Sequence, residues 1–224
     1  MLSTRSLALL VSAVSVAAGL ALTGCAAPAP TPVSTDGTAL HPLGAGFLGS
    51  VTTPTPEATI DPAPGSWDGV EPPAGYRVVL ITAGDDAATT TLASGVTRWA
   101  GQRAVSLTTL AATGDDDVQA QLLRAIEKAP DLIVGAGAGV VDVFSLITAQ
   151  SLHQQFLVIG AELPEPTGNA TSVVWAGASF RGTGISSDDD SVPAAVTPAR
   201  ASDAVSAGVA SVLHGLTGIV LHLG

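Results

Sequence analysis

An open, mostly parallel α/β sheet of about six strands with helices on both faces is the fold class this chain predicts, and three observations carry it. Leu132 to Val134 and Phe156 to Ile159 are short uncharged runs, the kind that suits strands buried on both faces of a parallel sheet. Between them Val140, Val143, Phe144, Ile147 and Leu152 recur at near-helical spacing, so one stripe of a helix can lie on that sheet. Gly135, Gly137 and Gly139 fall where the first strand passes into the helix. In open α/β sheets that handover lies at the carboxyl edge, where ligands bind.

The chain begins with Arg5, an uncharged run from Leu7 to Thr23, and Leu22-Thr23-Gly24-Cys25. A positive start, an apolar middle and small residues before a cut mark residues 1–24 as a secretory signal. Leu-Thr-Gly-Cys resembles the bacterial lipobox, in which cleavage leaves an acylated Cys25 as the new N-terminus. The competing reading is an uncleaved transmembrane anchor, but a stable span wants about 20 apolar residues. Cys25 is the single cysteine of the chain, so no disulfide forms within a monomer. The expected location is the extracytoplasmic face of the cell membrane, with the membrane itself as first partner through the lipid on Cys25. Lys and Arg total 8 against 19 Asp and Glu, a balance that excludes nucleic acid as a partner class.

Residues 25–75 read as the acylated cysteine and a Pro-rich tether. Pro28, Pro30, Pro32, Pro42, Pro54, Pro56, Pro62, Pro64, Pro72 and Pro73 stand among Ala, Thr, Ser and Gly, a composition that favours extended, solvated chain. Phe47, Leu48 and Trp67 are the residues through which it would dock if it docked at all.

The folded domain is expected over residues 76–224. Arg77 to Thr82 is a strand, Ala83 to Asp86 its turn, and Thr89 to Gln102 a helix with Leu92, Val96 and Trp99 on one side. Val105 to Ala111 is the next strand. Asp115-Asp116-Asp117 then opens a helix that turns Val118, Leu122, Leu123 and Ile126 inward, its acids complementing the helix dipole. A strand over Ser172 to Trp175 follows the central unit. Gly177 to Arg200, with Asp188-Asp189-Asp190, is a long acidic loop without apolar periodicity. Ser202 or Asp203 caps a last helix, and Ile219-Val220-Leu221 is a last strand. Ala204 to Gly224 lacks charge and could be a membrane span by length, but Ser206, His214, Gly215 and His222 interrupt it.

The motifs carry little chemistry. Gly135-Ala136-Gly137 after a strand is half of a dinucleotide fingerprint, but Val140 holds its third glycine position, so no cofactor is expected. The three Asp clusters are runs of adjacent acids that point in different directions, which suits helix caps and solvated loop better than metal. No Gly-x-Ser-x-Gly or His-Glu-x-x-His occurs, and the four histidines have no partnered nucleophile motif, so no enzyme is expected.

Several segments together resemble one family. Asp131-Leu-Ile-Val-Gly-Ala-Gly137 with Asp142, Gln155-Phe-Leu-Val-Ile159, and Gly168-Asn169 to Val174 are similar to segments of the basic membrane protein, or PnrA-like, lipoproteins. These are nucleoside-binding components of ABC transporters with the type I periplasmic-binding-protein fold. The resemblance covers Tyr76 to about Phe180 and implies one Rossmann-like lobe of a two-lobed clamshell. It implies ligand-binding roles for Asp85, Asp86, Gly135, Gly137 and Asp142, and a transporter or another membrane protein as partner. Where the family has Asp-Asp-x-Ser-Phe-Asn after the first strand, this chain keeps Asp85 and Asp86 but continues Ala87-Ala88-Thr89-Thr90. The ring that stacks on the base is therefore missing, and the loop of residues 177–200 stands where the family crosses into its second lobe. Two functions follow as expectations: a small-ligand-binding lobe, or an interaction protein that no longer binds small molecules.

Overall fold

Side chains alternate strictly across the strands, and that alternation divides the interior into two layers. Leu80, Leu132, Val134, Leu157 and Ile159 point to one layer, whereas Ile81, Ile133, Phe156 and Val158 point to the other. The computed structural model describes residues 40–182 and 192–224. Its strands are β1 (Thr59–Ile60), β2 (Arg77–Ala83), β3 (Ser106–Ala112), β4 (Leu132–Ala136), β5 (Phe156–Ile159), β6 (Ala170–Val174) and β7 (Val220–His222). They form one seven-stranded sheet in the order β1-β7-β6-β5-β4-β2-β3. Every neighbouring pair is parallel.

Four α-helices cover the faces among the described residues: α1 (Ala87–Gln102), α2 (Asp115–Glu127), α3 (Val141–Thr148) and α4 (Pro198–Leu213). Helices α1 and α4 lie on the first layer, burying Leu92, Val96, Trp99, Val205 and Val209. Helices α2 and α3 lie on the second, burying Val118, Leu122, Phe144 and Ile147. The crossing of α1 and α4 is close because position 95 is glycine: a Cβ there would stand 2.6 Å from Ala201 Cβ. The α/β lobe with helices on both faces is thus the architecture expected, with one strand more.

That extra strand overturns part of the tether. Residues 40–75 are packed onto the first layer, with Phe47 and Ile60 only 2% and 1% exposed and Trp67 and Val70 buried beside them. Thr59 and Ile60 pair with Val220 and Leu221, so this strap covers the edge of β7. Proline withholds donors from ladders and helices, but it does not prevent a few apolar side chains from being buried. His222 Nδ1 lies 3.2 Å from Asp61 Oδ1, and His214 Nε2 donates to the carbonyl of His41 at 3.0 Å.

Three smaller expectations change. Helix α3 ends at Thr148, preceded by a 3-10 turn at Ala138–Val140, and Leu152 lies beyond it, 65% exposed. The last helix starts earlier than Ser202: Thr197 is its cap, with Oγ1 accepting from Arg200 N at 3.3 Å and Pro198 in the first turn. Within the stretch expected to be one long loop, Pro193–Ala195 forms a 3-10 turn. No helix among the described residues is long and apolar enough to cross a membrane, and Ala204 to Gly224 is helix followed by strand.

Replacing Phe47 with Ala should therefore cost about 3–5 kcal/mol of stability, the usual loss for a fully buried aromatic. Denaturant unfolding of the variant checks it; an unchanged midpoint would return residues 40–75 to the status of a tether.

Candidate functional site

The strand order reverses between β2 and β4, because the chain leaves β2 for β3 on one side and returns to β4 on the other. At such a switch point the turns leaving the two strands diverge, and a crevice opens at the carboxyl edge. A cavity of about 270 Å³ lies there, bordered by Asp86, Thr89, Leu92, Gly137, Gly160 and Val196.

The β2–α1 wall is built around a cap. Asp86 is the N-cap of α1: its Oδ1 accepts from Ala88 N at 2.9 Å and Thr89 N at 3.0 Å, and its Oδ2 from Thr89 Oγ1 at 2.6 Å. Partial burial pushes this carboxyl up, but the hydrogen bonds from Thr89 and from the Thr89, Ala88 and Asp86 amides outweigh it. The net result is a carboxyl held below its ordinary range.

The β4–α3 wall depends on missing Cβ atoms. Gly137 has φ +81, a left-handed conformation that favours glycine, and its N–H donates to Ile159 O at 2.9 Å. A Cβ at Gly139 would stand 2.9 Å from Ala83 Cβ, so the turns after β2 and β4 touch only because that atom is absent. On the floor, a Cβ at Gly160 would stand 2.8 Å from Leu92 Cδ1.

The third wall comes from the region expected to be an acidic loop. After β6 the chain turns at Trp175 to Ala178, and Val192 N donates to Gly177 O at 2.7 Å. Trp175 Nε1 donates to Ala195 O at 3.0 Å and so pins Pro193–Ala195 over the edge. On the opposite side, Glu162 N donates to Phe180 O at 2.8 Å and Arg181 pairs with Glu162 at 3.1 Å. Asp188, Asp189 and Asp190 lie outside the described residues, as does Cys25.

The five candidate ligand-binding residues do not converge. Asp86 and Gly137 border the crevice. Asp85 faces a separate open groove on the outer side of α1, with Thr90, Ser94 and Arg98. Gly135 lies inside β4 and faces the second layer, where a Cβ would stand 2.8 Å from Val140 Cγ2 and 2.9 Å from Phe144. It is a packing residue. Asp142 sits in the first turn of α3 toward Gly182, where a Cβ would stand 3.3 Å from its Oδ1. Thr89, Leu92, Gly160 and Val196 border the crevice without having been singled out in the sequence. Only Thr89 carried a signal, as a hydroxyl three residues after an Asp cap.

Chemically the crevice offers shape more than reactivity. Among the described residues its polar side chains are Asp86 and Thr89, already bonded to each other. Among the described residues no three His, Cys, Asp or Glu side chains gather to hold a metal ion.

No protein-family model matches the chain, and no curated protein matches it by sequence. Solved structures similar to it include an ABC transporter solute-binding protein from Aeropyrum pernix K1, at 19% identity and a TM-score of 0.41. That match covers 46% of this chain and 29% of the other. A putative lipoprotein fragment from Peptoclostridium difficile 630 is similar at 12% identity and a TM-score of 0.45, over 62% of this chain and 98% of the fragment. A LacI transcriptional regulator from a Rhodococcus species is similar at 11% identity and a TM-score of 0.34, over 66% of this chain and 57% of the regulator.

Asp86→Ala should lower stability by about 1 kcal/mol at neutral pH, and Asp86→Asn by less, because Asn also caps. A lowered folded pKa stabilises above the unfolded value and loses that contribution as pH falls through the folded one. The gap between wild type and Asp86→Ala should accordingly close below about pH 4, as read from denaturant midpoints across an acid series.

Proposed function

We propose that this chain is a lipid-anchored protein of the extracytoplasmic face of the cell membrane, a binding component built on one lobe of the solute-binding kind, and not an enzyme. The observation that carries the reading is the crevice at the switch point, walled by glycine backbone and a helix cap, whose polar side chains among the described residues, Asp86 and Thr89, are bonded to each other. The lipobox-like Leu22 to Cys25 supplies the anchor, and a transporter or another membrane protein is the proposed partner. The resemblance to nucleoside-binding lipoproteins extends to the frame and to Asp86, but not to the recognition of a base. With Thr89 at the position of the family's Phe, stacking worth about 1–3 kcal/mol per base is lost.

A second reading, an interaction protein that no longer takes small molecules, is favoured by one feature. Pro193 and Val196 of the chain itself border the crevice, held there by the Trp175 indole. That segment occupies surface that a ligand clasped between two lobes would need.

Changing Cys25 to Ser should move the protein from the membrane fraction to the aqueous one, and unchanged detergent partitioning would refute the lipid anchor. Calorimetric titration with adenosine, guanosine or inosine should give flat heats at micromolar protein, corresponding to affinity no tighter than about millimolar. A saturable micromolar isotherm would show that a nucleoside site exists in spite of the missing ring.

A further inference from the structure

The two edges of the sheet are finished differently. At one, β1 covers β7; at the other, β3 is the last strand, and among the described residues nothing pairs with its outer side. Ser106 N donates to Tyr76 O at 2.9 Å and Ala112 O accepts from Gly84 N at 2.9 Å, so the backbone of residues 106, 108, 110 and 112 turns toward β2. The N–H and C=O groups of Leu107, Thr109 and Ala111 therefore turn outward. Exposed edges are ordinarily blunted by charge, proline, a bulge or a short strand. β3 is seven residues long, Ser-Leu-Thr-Thr-Leu-Ala-Ala, with neither charge nor proline. It follows β2 in unbroken register from Ser106 to Ala112, and Ser106, Thr108, Thr109 and Ala111 are exposed.

This edge is complementary to itself. Thr109 is the middle one of the three outward residues, so a two-fold axis beside it sets Thr109 against its own copy and Leu107 against Ala111 of the second copy. Each such antiparallel pair exchanges two hydrogen bonds. The helix above obeys the same axis. α2 packs on β2 and β3, with α3 on its inner side, and buries Val118, Leu122 and Ala125. For a right-handed crossover from β3 to β4, the flank of α2 on the open side carries Asp117, Gln121, Arg124 and Lys128, acidic where the helix starts and basic where it ends. With strands about 4.8 Å apart, the axis brings α2 to about 10 Å from its copy, the packing distance of two helices. The two helices then run antiparallel, and Asp117 of each faces the basic end of the other. On the opposite layer the groove along α1 has Asp85 at one end and Arg98 at the other, so unlike charges are again brought toward each other. The chain has a net charge of −11, and two copies can meet closely only where that excess is absent.

We infer that the outer edge of β3 is an interface between two copies of this chain, joined about a two-fold axis at Thr109 so that their sheets run on as one. The interface involves neither Cys25 nor the crevice, and it stands whether or not the chain is lipid-anchored.

The test uses the full-length Cys25→Ser chain, which carries no thiol. In that background Thr109→Cys places two thiols across the axis with Cα atoms about 5.5 Å apart, within disulfide range. Thr108→Cys, one residue off the axis, leaves them roughly 8–9 Å apart, beyond that range. Mild oxidation should therefore cross-link the Thr109→Cys chain at least about tenfold more than the Thr108→Cys chain. Sedimentation of the thiol-free chain at micromolar concentration should give twice the mass of one chain. Thr109→Lys, which sets like charges directly opposite, should return it to a monomer with unchanged far-UV circular dichroism. A thiol-free chain that stays monomeric, a dimer that Thr109→Lys leaves intact, or equal cross-linking from the two positions would overturn the interface.

Discussion

The close approach of backbone at the carboxyl edge is the constraint on which this structure depends. Gly139 allows the turn after β4 to touch Ala83 at the end of β2, and Gly160 allows Leu92 of α1 to lie over the end of β5. Gly135 does the same on the opposite layer, where Val140 and Phe144 press onto β4. Any larger residue at these positions would push a turn or a helix outward, and close-packed interiors absorb such shifts poorly. The same approach defines the crevice, because the space left between the turns is what remains once the glycines have brought them together.

The strap of residues 40–75 performs a second structural task. A parallel sheet ending at β7 would leave a row of backbone groups unpaired, and β1 covers that row with two residues while Phe47 and Trp67 seal the layer beneath. A segment that looks like a spacer by composition is thus part of the folded unit.

The central βαβ unit was legible because each signal was local: apolar runs for β4 and β5, a near-helical stripe for α3, glycines between them. Asp86 was legible as a cap for the same reason, and Asp115 to Asp117 as an acidic first turn, but the cap position of α2 is Gly114, without a side-chain cap bond, and Asp117 Oδ2 accepts from Thr113 N at 3.1 Å. The strap was not legible, because Phe47, Ile60 and Trp67 are separated by prolines without a period and β1 is only two residues long. The start of α4 was missed because Thr197-Pro198 was read as part of the loop. Convergence is harder still. Thr89, Gly137, Gly160 and Val196 meet through sheet topology alone, and Gly135 and Asp142, close to Gly137 in sequence, are carried to the other layer by the alternation of the strand and the turn into α3.

The lobe is a packed α/β frame with a small crevice at its carboxyl edge, a helix cap on the rim and Val192, Pro193 and Val196 along its border. Binding there would order amides that are otherwise near the solvent, so hydrogen exchange reports it residue by residue. The full-length protein would be compared with and without a mixture of nucleosides, sugars and amino acids. Slowed exchange confined to the turns after β2, β4, β5 and β6, and to residues 192–196, is the result expected of a binding lobe. Protection centred on any other surface, or unchanged exchange throughout, would contradict it.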